Sequence, residues 1–454
     1  MTNFELIVIG GGTGNNVASA AARSELDVAL VEKGPLGGTC LTRGCDPSKT
    51  LIHRADVIEQ IRQAEQFGID AEVTNIDFST IISESNKPFD EKAEQMENSM
   101  QDAENLMLYK AEGQFVDERT LQVDDEQITG EKIVVAAGAR PIIPNSIDGI
   151  EDVNYMTSDE VLRLDERPEH LIIIGGGYIA AEIGHAYGTL GSDVTIIGRS
   201  ETLLSREDTD IRQTFTEYFS QRYDVHTGYE ATSVFEDDDE FTVQAETDDG
   251  DQLAVTGDQL LVATGRKPNS DVLQVEKAGI ATDDDGFIEA NDYLETTADN
   301  VWAMGDIVGN YMFWHSALHE AEYVYKNAVH DRQQEVDYTG MSRAVFSSPQ
   351  VASMGQTEQE LAENGREYVV GTYEYSNTAM GIALKDEAGF VKVLAEPNDK
   401  RILGCHILGP DASTLIHEVV TAVTSGTGTV SEITDSIHIH PALNEVVERA
   451  FKDV

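Results

Sequence analysis

Two cysteines stand five apart in Gly37-Gly38-Thr39-Cys40-Leu41-Thr42-Arg43-Gly44-Cys45-Asp46-Pro47-Ser48-Lys49, and a third, Cys405, sits alone in an apolar run. In a cytosolic chain so close a pair points to catalysis or metal binding before structural cross-linking. Zinc asks for four ligands at close spacing, and the chain has no second cysteine pair. A redox pairing meets a geometric obstacle. In an ideal helix, positions i and i+5 have Cα atoms about 8.7 Å apart, beyond the roughly 7 Å that a disulfide can bridge. The segment must therefore depart from a regular helix if the two sulfurs bond. Gly44 makes that departure easier, and strain leaves such a bond more readily reduced. The Gly-rich turn ahead of the pair also predicts a helix N-terminus, whose field lowers a thiol pKa. Two inert buried thiols are the competing reading; Cys405, within an apolar strand, is read that way.

The elements around this pair carry a repeat. An apolar strand runs into Gly10-Gly11-Gly12-Thr13-Gly14-Asn15, and much later another runs into Gly175-Gly176-Gly177-Tyr178-Ile179-Ala180. Each leads to an Ala-rich helical stretch and a second strand, Val28 to Val31 and Val194 to Ile197. That context turns a weak glycine signature into a dinucleotide site, because glycines let the backbone approach a pyrophosphate whose charge the helix N-terminus stabilises. A Gly-rich turn in an ordinary α/β sheet is the plainer alternative. Glu32 ends the second strand of the first copy, where a carboxylate accepts ribose hydroxyls. Asn15 replaces the third glycine there. In the second copy the position matching Glu32 is Gly198, followed by Arg199 and then Arg206. Without the acid, two guanidinium groups can clamp a 2′-phosphate, which favours NADPH over NADH; plain surface arginines are the alternative. Ala180, in place of the third glycine, points the same way.

The two copies also end alike, at Val134-Val135-Ala136-Ala137-Gly138 and Leu261-Val262-Ala263-Thr264-Gly265. One nucleotide-binding domain is thus expected inside another, with residues 1–150 and 270–338 forming the outer one and 151–269 the inner. From Met341 the texture changes to alternating strands around Arg343 to Val351, Phe390 to Leu394 and Arg401 to Ile407. Helices from about Thr414 to Thr424 and Asn444 to Phe451 give an α+β domain over 339–454. A long exposed helix is predicted between roughly Asn86 and Met107. The fold class is α/β, with two nested Rossmann-like domains and a C-terminal α+β domain.

Composition sets the solvent. The 454 residues include 83 acidic against 31 basic, only 13 of them Lys, for a formal charge of -52 and a pI of about 4.3. Such an excess repels itself in dilute buffer, but the Debye length falls to roughly 3 Å at 1 M salt. Concentrated brine is the expected medium. Runs such as Asp237-Asp238-Asp239-Glu240 and Asp283-Asp284-Asp285 read as a solvated acidic coat, since the ligand spacing of an EF-hand is missing. No metal is expected. Nucleic-acid binding through a basic surface is excluded. The N-terminal Met-Thr-Asn-Phe-Glu lacks the basic and apolar regions of an export signal, and no apolar run approaches about 20 residues, so a cytoplasmic protein with no membrane partner is expected.

The cysteine segment, Gly175 to Glu182, Ala263-Thr264-Gly265-Arg266-Lys267-Pro268-Asn269, Ala303-Met304-Gly305-Asp306 and His438-Ile439-His440-Pro441-Ala442-Leu443-Asn444-Glu445 together resemble the flavin disulfide reductases, over essentially the whole chain. This family includes glutathione reductase, mycothione reductase, dihydrolipoamide dehydrogenase and mercuric reductase. The resemblance implies that a nicotinamide nucleotide reduces FAD, which reduces a Cys40–Cys45 disulfide, whose dithiol reduces the substrate. Cys45 would face the flavin as the charge-transfer thiolate, and Cys40 would attack the substrate. Lys49 and Glu182 would form an ion pair near the flavin, and Tyr178 would cover the nicotinamide pocket. His440, held by Glu445, would be the acid/base, contributed across the interface of a homodimer; a neutral imidazole with a carboxylate fixing its tautomer suits that exchange. His438 carries no role. FAD would be held by Gly10, Gly12, Thr13, Gly14, Glu32, Gly38, Thr39, Lys49, Gly138, Asp306 and His315. NADPH would meet Gly175, Gly177, Tyr178, Ile179, Glu182, Arg199, Arg206 and Gly265.

Among these enzymes, mercuric reductase would show a C-terminal cysteine pair, and large thioredoxin reductases an extended redox tail; this chain ends Arg449-Ala450-Phe451-Lys452-Asp453-Val454. Asn15, the Arg199 region and the ending from Ala442 to Val447 look most like mycothione reductase. The acidity suggests a salt-loving microbe, and haloarchaea use γ-glutamylcysteine as their main small thiol. Reduction of bis-γ-glutamylcystine with NADPH is therefore expected. NAD-dependent dihydrolipoamide oxidation and mycothione or glutathione reduction are the alternatives.

Overall fold

The computed structural model describes residues 2–238 and 240–454; Asp239 of the first acidic run lies outside them. Strand Thr2–Ile9 buries Leu6, Ile7, Val8 and Ile9 in succession, the apolar pattern of a strand covered on both faces. It pairs in parallel with Val28–Val31 on one side and Glu126–Val135 on the other, and Leu106–Tyr109 extends the sheet. Val301–Ala303, from far along the chain, completes it by pairing in parallel with the end of Glu126–Val135. A second parallel sheet, ordered Asp224–Thr227, Asp193–Gly198, His170–Ile174, Gln259–Val262, is built entirely from residues between those two contributions. One nucleotide-binding fold is therefore inserted in the other. The two chain crossings lie side by side, Ala139–Pro141 antiparallel to Arg266–Pro268.

The repeat extends to atomic detail. Gly10 and Gly175 have φ of +110° and +133°, and a Cβ on either would fall 2.2 Å from a carbonyl oxygen, that of Ala136 or of Ala263. Only glycine fits such a turn. Helix α1, Gly14–Arg23, then starts over the sheet. Its close approach is made by Gly14, where a Cβ would lie 2.9 Å from that of Ala136 and 3.1 Å from Val8 Cγ1, so the buried Asn15 costs the packing nothing. Helices α2, Gly38–Arg43, and α3, Cys45–Arg62, follow the second strand.

The helix expected over 86–107 is α4, Phe78–Gln101, which begins earlier and runs through Pro88. Asp77 caps it, accepting the Thr80 amide at 3.0 Å, and Asn86 ties its inward face to the Leu162 carbonyl at 2.8 Å. The chain beyond it becomes the edge strand Leu106–Tyr109, because those residues are placed to pair with Val28–Val31. Helix α5, Tyr178–Leu190, opens the second unit, and α6, Thr209–Ser220, follows its second strand. An antiparallel meander, Glu230–Asp237, Glu240–Glu246 and Gln252–Gly257, was not anticipated; Asp237 and Asp238 are exposed at its first turn.

The C-terminal sheet is antiparallel, ordered Ser342–Val345, Val351–Gly355, Ile402–Leu408, Phe390–Ala395, Val369–Glu374. The single strand expected over 343–351 is two, since Pro349 has no N–H to continue a ladder and the chain turns there. Cys405 is fully buried in this sheet, and burial pushes its thiol up. Helices Ala412–Ser425 and Glu445–Lys452 pack on it. One core joins Leu51 and Ile52 of α3 and Ile82 of α4 to Ile183 and Tyr187 of α5, Phe215 and Phe219 of α6, and Val345 and Val351. That shared core sets α3 against α5, the two helices that carry the site. No described helix is long and apolar enough to cross a membrane.

Candidate active site

The departure from a regular helix falls at Gly44, whose φ of -146° and ψ of -116° separate α2 from α3. A Cβ there would lie 2.8 Å from the Thr39 carbonyl oxygen. Cys40 is thus inside α2, and Cys45 is the first residue of an 18-residue helix. The two stand as free thiols. The neighbouring Cys40 is the main cause that holds Cys45 below the ordinary thiol range; burial opposes this and the Lys49 ammonium assists. The same neighbour effect, then burial, push Cys40 upward.

Lys49, one turn into α3, meets Glu182 of α5 at 2.7 Å. The other Glu182 oxygen accepts the Phe346 amide at 3.0 Å, and the Lys49 ammonium lies 5.1 Å from the Phe346 ring. Burial alone would pull Lys49 down, but Glu182 outweighs it and the ammonium is held above its usual range. A fixed cation therefore stands beside the Cys45 sulfur. Tyr178, at the start of α5, remains 38% exposed, with its ring 6.5 Å from that of Phe313. Asp306 faces Arg266 at 3.9 Å, and burial raises its carboxyl. His315 stacks on Phe313 and its Nε2 meets the Ser342 carbonyl at 2.8 Å.

The glycine turns leave room for dinucleotides. Gly12 and Gly38 approach so closely that a Cβ on Gly38 would fall 2.8 Å from Gly12 Cα, which puts the first turn, with Thr13 just before α1, directly against Thr39 and the cysteine helix. Gly138 and Gly177 have nothing within 4 Å of an added Cβ, and Gly265, at φ +128°, has only Ile142 near. The Glu32 carboxylate accepts the Gly11 and Gly34 amides, both at 2.6 Å, and so is fixed at the edge of the first crevice. These features fit FAD in that crevice. In the second unit, Gly198 packs against Gly176, a Cβ on it falling 3.5 Å from Gly176 Cα, with Ile179 just inside α5, and Arg199 and Arg206 are exposed. Neither guanidinium is paired with a carboxylate among the described residues.

His440 stands apart. Its Nδ1 is 2.9 Å from Glu445 Oε1, and that hydrogen bond lowers the Glu445 carboxyl. The imidazole is 73% exposed and bonds to neither cysteine of its own chain. Beside it Ile437 and Ile439 are 101% and 74% exposed, an apolar surface that calls for a cover. His438 turns inward, its ring held by Glu418 at 3.2 Å. Chain folding thus gathers Cys40, Cys45, Lys49, Glu182 and Tyr178 but leaves the histidine pair outside. Phe346 and the buried Glu320, which takes the Gly305 amide at 2.6 Å and the Tyr338 hydroxyl at 2.6 Å, were not foreseen. Glu320 falls at the helical spacing of Ala317, Ala321 and Val324, which was the available signal for its burial. The described His, Cys, Asp and Glu residues close enough to share a metal are Asp56, Glu59 and His185, and Glu59 is taken by Arg222 at 2.7 Å.

A family model described as pyridine nucleotide-disulphide oxidoreductase matches residues 4–321, and that family's dimerisation-domain model matches 341–451. The chain belongs to the pyridine nucleotide-disulphide oxidoreductases. This oxidoreductase is 36% identical to mycothione reductase of Mycobacterium tuberculosis, covering 99% of each chain. It is 33% identical to dihydrolipoyl dehydrogenase 3 of Haloarcula marismortui, with 99% of this chain and 96% of that one covered. The Escherichia coli flavoprotein disulfide reductase RclA, solved as a Cu(II) complex, superimposes with a TM-score of 0.88 at 28% identity, over 100% and 99% of the two chains. A disulfide oxidoreductase working with FAD and a pyridine nucleotide is the family's chemistry, and its dimerisation domain is present.

Proposed function

We propose that this oxidoreductase uses NADPH to reduce a low-molecular-weight disulfide, bis-γ-glutamylcystine, in a salt-loving cell. The observation that carries the reading is the placement of Cys40 inside α2 and Cys45 at the first residue of α3, with Lys49 one turn on and fixed by Glu182 at 2.7 Å. FAD, when bound, supplies the passage of two electrons from the nicotinamide to the sulfurs. Cys40, whose proton is removed by His440 of the partner subunit, attacks one substrate sulfur and displaces the first thiol, which takes that proton back. The Cys45 thiolate then attacks the Cys40 sulfur, closing the Cys40–Cys45 disulfide and releasing the second product as a thiolate, which takes its proton from solvent. Glu445 keeps His440 in the tautomer this exchange needs. Lys49, fixed by Glu182, balances negative charge where electrons arrive, and Tyr178 shields the nicotinamide pocket. Gly198, Arg199 and Arg206 favour the 2′-phosphate of NADPH. Domains 1–150 with 270–338, 151–269 and 339–454 divide these tasks, in a homodimer in the cytoplasm.

The similarity to dihydrolipoyl dehydrogenases supports a second reading, NAD-dependent oxidation of dihydrolipoamide. NADPH oxidation in molar salt, against bis-γ-glutamylcystine, mycothiol disulfide, glutathione disulfide and lipoamide, separates the two. A response to lipoamide alone, with NADH, overturns the first. His440→Ala should still accept electrons from NADPH at near-normal rate while turning over poorly, because the imidazole acts only in thiol exchange; stopped-flow flavin absorbance against steady-state rate measures the split.

A further inference from the structure

The loop carrying Arg206 is held from outside its own nucleotide fold. The next two residues, Glu207 and Asp208, are 5% and 0% exposed. Glu207 meets Arg343 at 2.7 Å and 3.2 Å and the Ser353 hydroxyl at 2.5 Å, and Arg343 also reaches the Arg206 carbonyl at 3.4 Å. Asp208 accepts from Lys392 at 2.8 Å and from the Glu358 amide at 2.9 Å. Lys392, itself 1% exposed, also binds Asp210 at 2.6 Å and Glu358 at 2.5 Å. Arg343, Ser353, Glu358 and Lys392 all come from the C-terminal domain. Buried charges keep their partners because separating them is costly, so this network allows the loop one conformation.

We infer that Arg343 and Lys392 are positioning residues for nucleotide discrimination: the C-terminal domain fixes the backbone of Arg206 and thereby aims its guanidinium at a 2′-phosphate. This rests on the NADPH reading. The chemistry is that of a phosphate monoester met by a guanidinium whose backbone cannot drift. Neither residue touches the nucleotide, so the flavin, the cysteines and the adenosine contacts are untouched by the change.

Calorimetric titration of the FAD-loaded protein with adenosine 2′,5′-bisphosphate and with adenosine 5′-monophosphate tests it, since the two probes differ only in the 2′-phosphate. The wild type should bind the bisphosphate more tightly. Arg343→Gln should weaken bisphosphate binding by roughly tenfold, the worth of one charge-assisted contact, and leave the monophosphate unchanged. Arg206→Ala should do the same, and the double variant should be no weaker than Arg206→Ala. Equal weakening of both probes, or additive losses in the double variant, overturns the inference. Glu207→Gln, which keeps the side-chain shape, is the second variant if Arg343→Gln does not fold, with the same selective loss expected. Equal affinity of the wild type for both probes overturns the NADPH reading and this inference with it, whereas a wild-type preference that survives Arg343→Gln overturns this inference alone.

Discussion

The polarity of the cysteine pair comes from what each sulfur touches. Cys45 neighbours Cys40, stands at a helix start and lies near Lys49, and its ionisation is shifted down, chiefly by Cys40. In reduced Cys40→Ala the main cause of that shift is gone, and the pH midpoint of Cys45 alkylation by iodoacetamide should rise toward the ordinary thiol value of about 8.5. An unchanged midpoint would assign the shift to Lys49 and the helix. Glu320 shows the opposite displacement: burial raises its carboxyl to about 7, against the Tyr338 and Gly305 hydrogen bonds. An acid raised in the folded state binds its proton more tightly there than unfolded. Its stabilising contribution is present below the unfolded value of 4.5 and is lost as pH rises through about 7. Urea unfolding of Glu320→Gln should therefore lack a decline of up to about 3 kcal/mol between those limits, taking about 1.4 kcal/mol per unit. The cysteines, Lys49 and Glu182 were legible as residues because their spacing is local or motif-bound; the Phe346 amide that holds Glu182 was not, because it comes from another domain.

At the scale of elements, the two glycine turns are alike in geometry and different in use. An alanine at position 10 or 175 would drive a methyl to 2.2 Å from a carbonyl oxygen, opening the turn that faces the pyrophosphate. Gly10→Ala should purify with little bound flavin, measured by absorbance. Gly175→Ala should retain flavin yet accept electrons from NADPH slowly, measured by stopped flow. The parallel strands were readable because burial on both faces makes them continuous apolar runs, and Val28–Val31 falls where expected. Helix α4 was misplaced because its start depends on the Asp77 cap and its end on competition from the strand Leu106–Tyr109. The meander over 230–257 was missed although its middle strand, Glu240–Glu246, alternates outward and buried residues throughout.

For the whole molecule the decisive quantity is the charge of -52. Folding brings these carboxylates closer together, so screening stabilises the compact state more than the unfolded one. The thermal midpoint should climb steeply as KCl rises from tenth-molar to molar concentrations, and sucrose at equal osmolality should raise it less. A flat response to salt would mean the acidic coat is electrostatically inert. Ile437 and Ile439, exposed beside His440, call for a cover, and the same salt series followed by sedimentation should show one dimeric species throughout the folded range.

By itself the sequence determined the nested nucleotide folds and the family, because these rest on glycine spacing, strand burial and motifs whose partners are close along the chain. Only the tertiary structure decided that Phe346 and Glu182 together fix Lys49 and that the Arg206 loop is clamped by Arg343 and Lys392. Those relations join residues more than a hundred positions apart, and nothing in local pattern says which distant side chains a common core will bring within hydrogen-bonding reach.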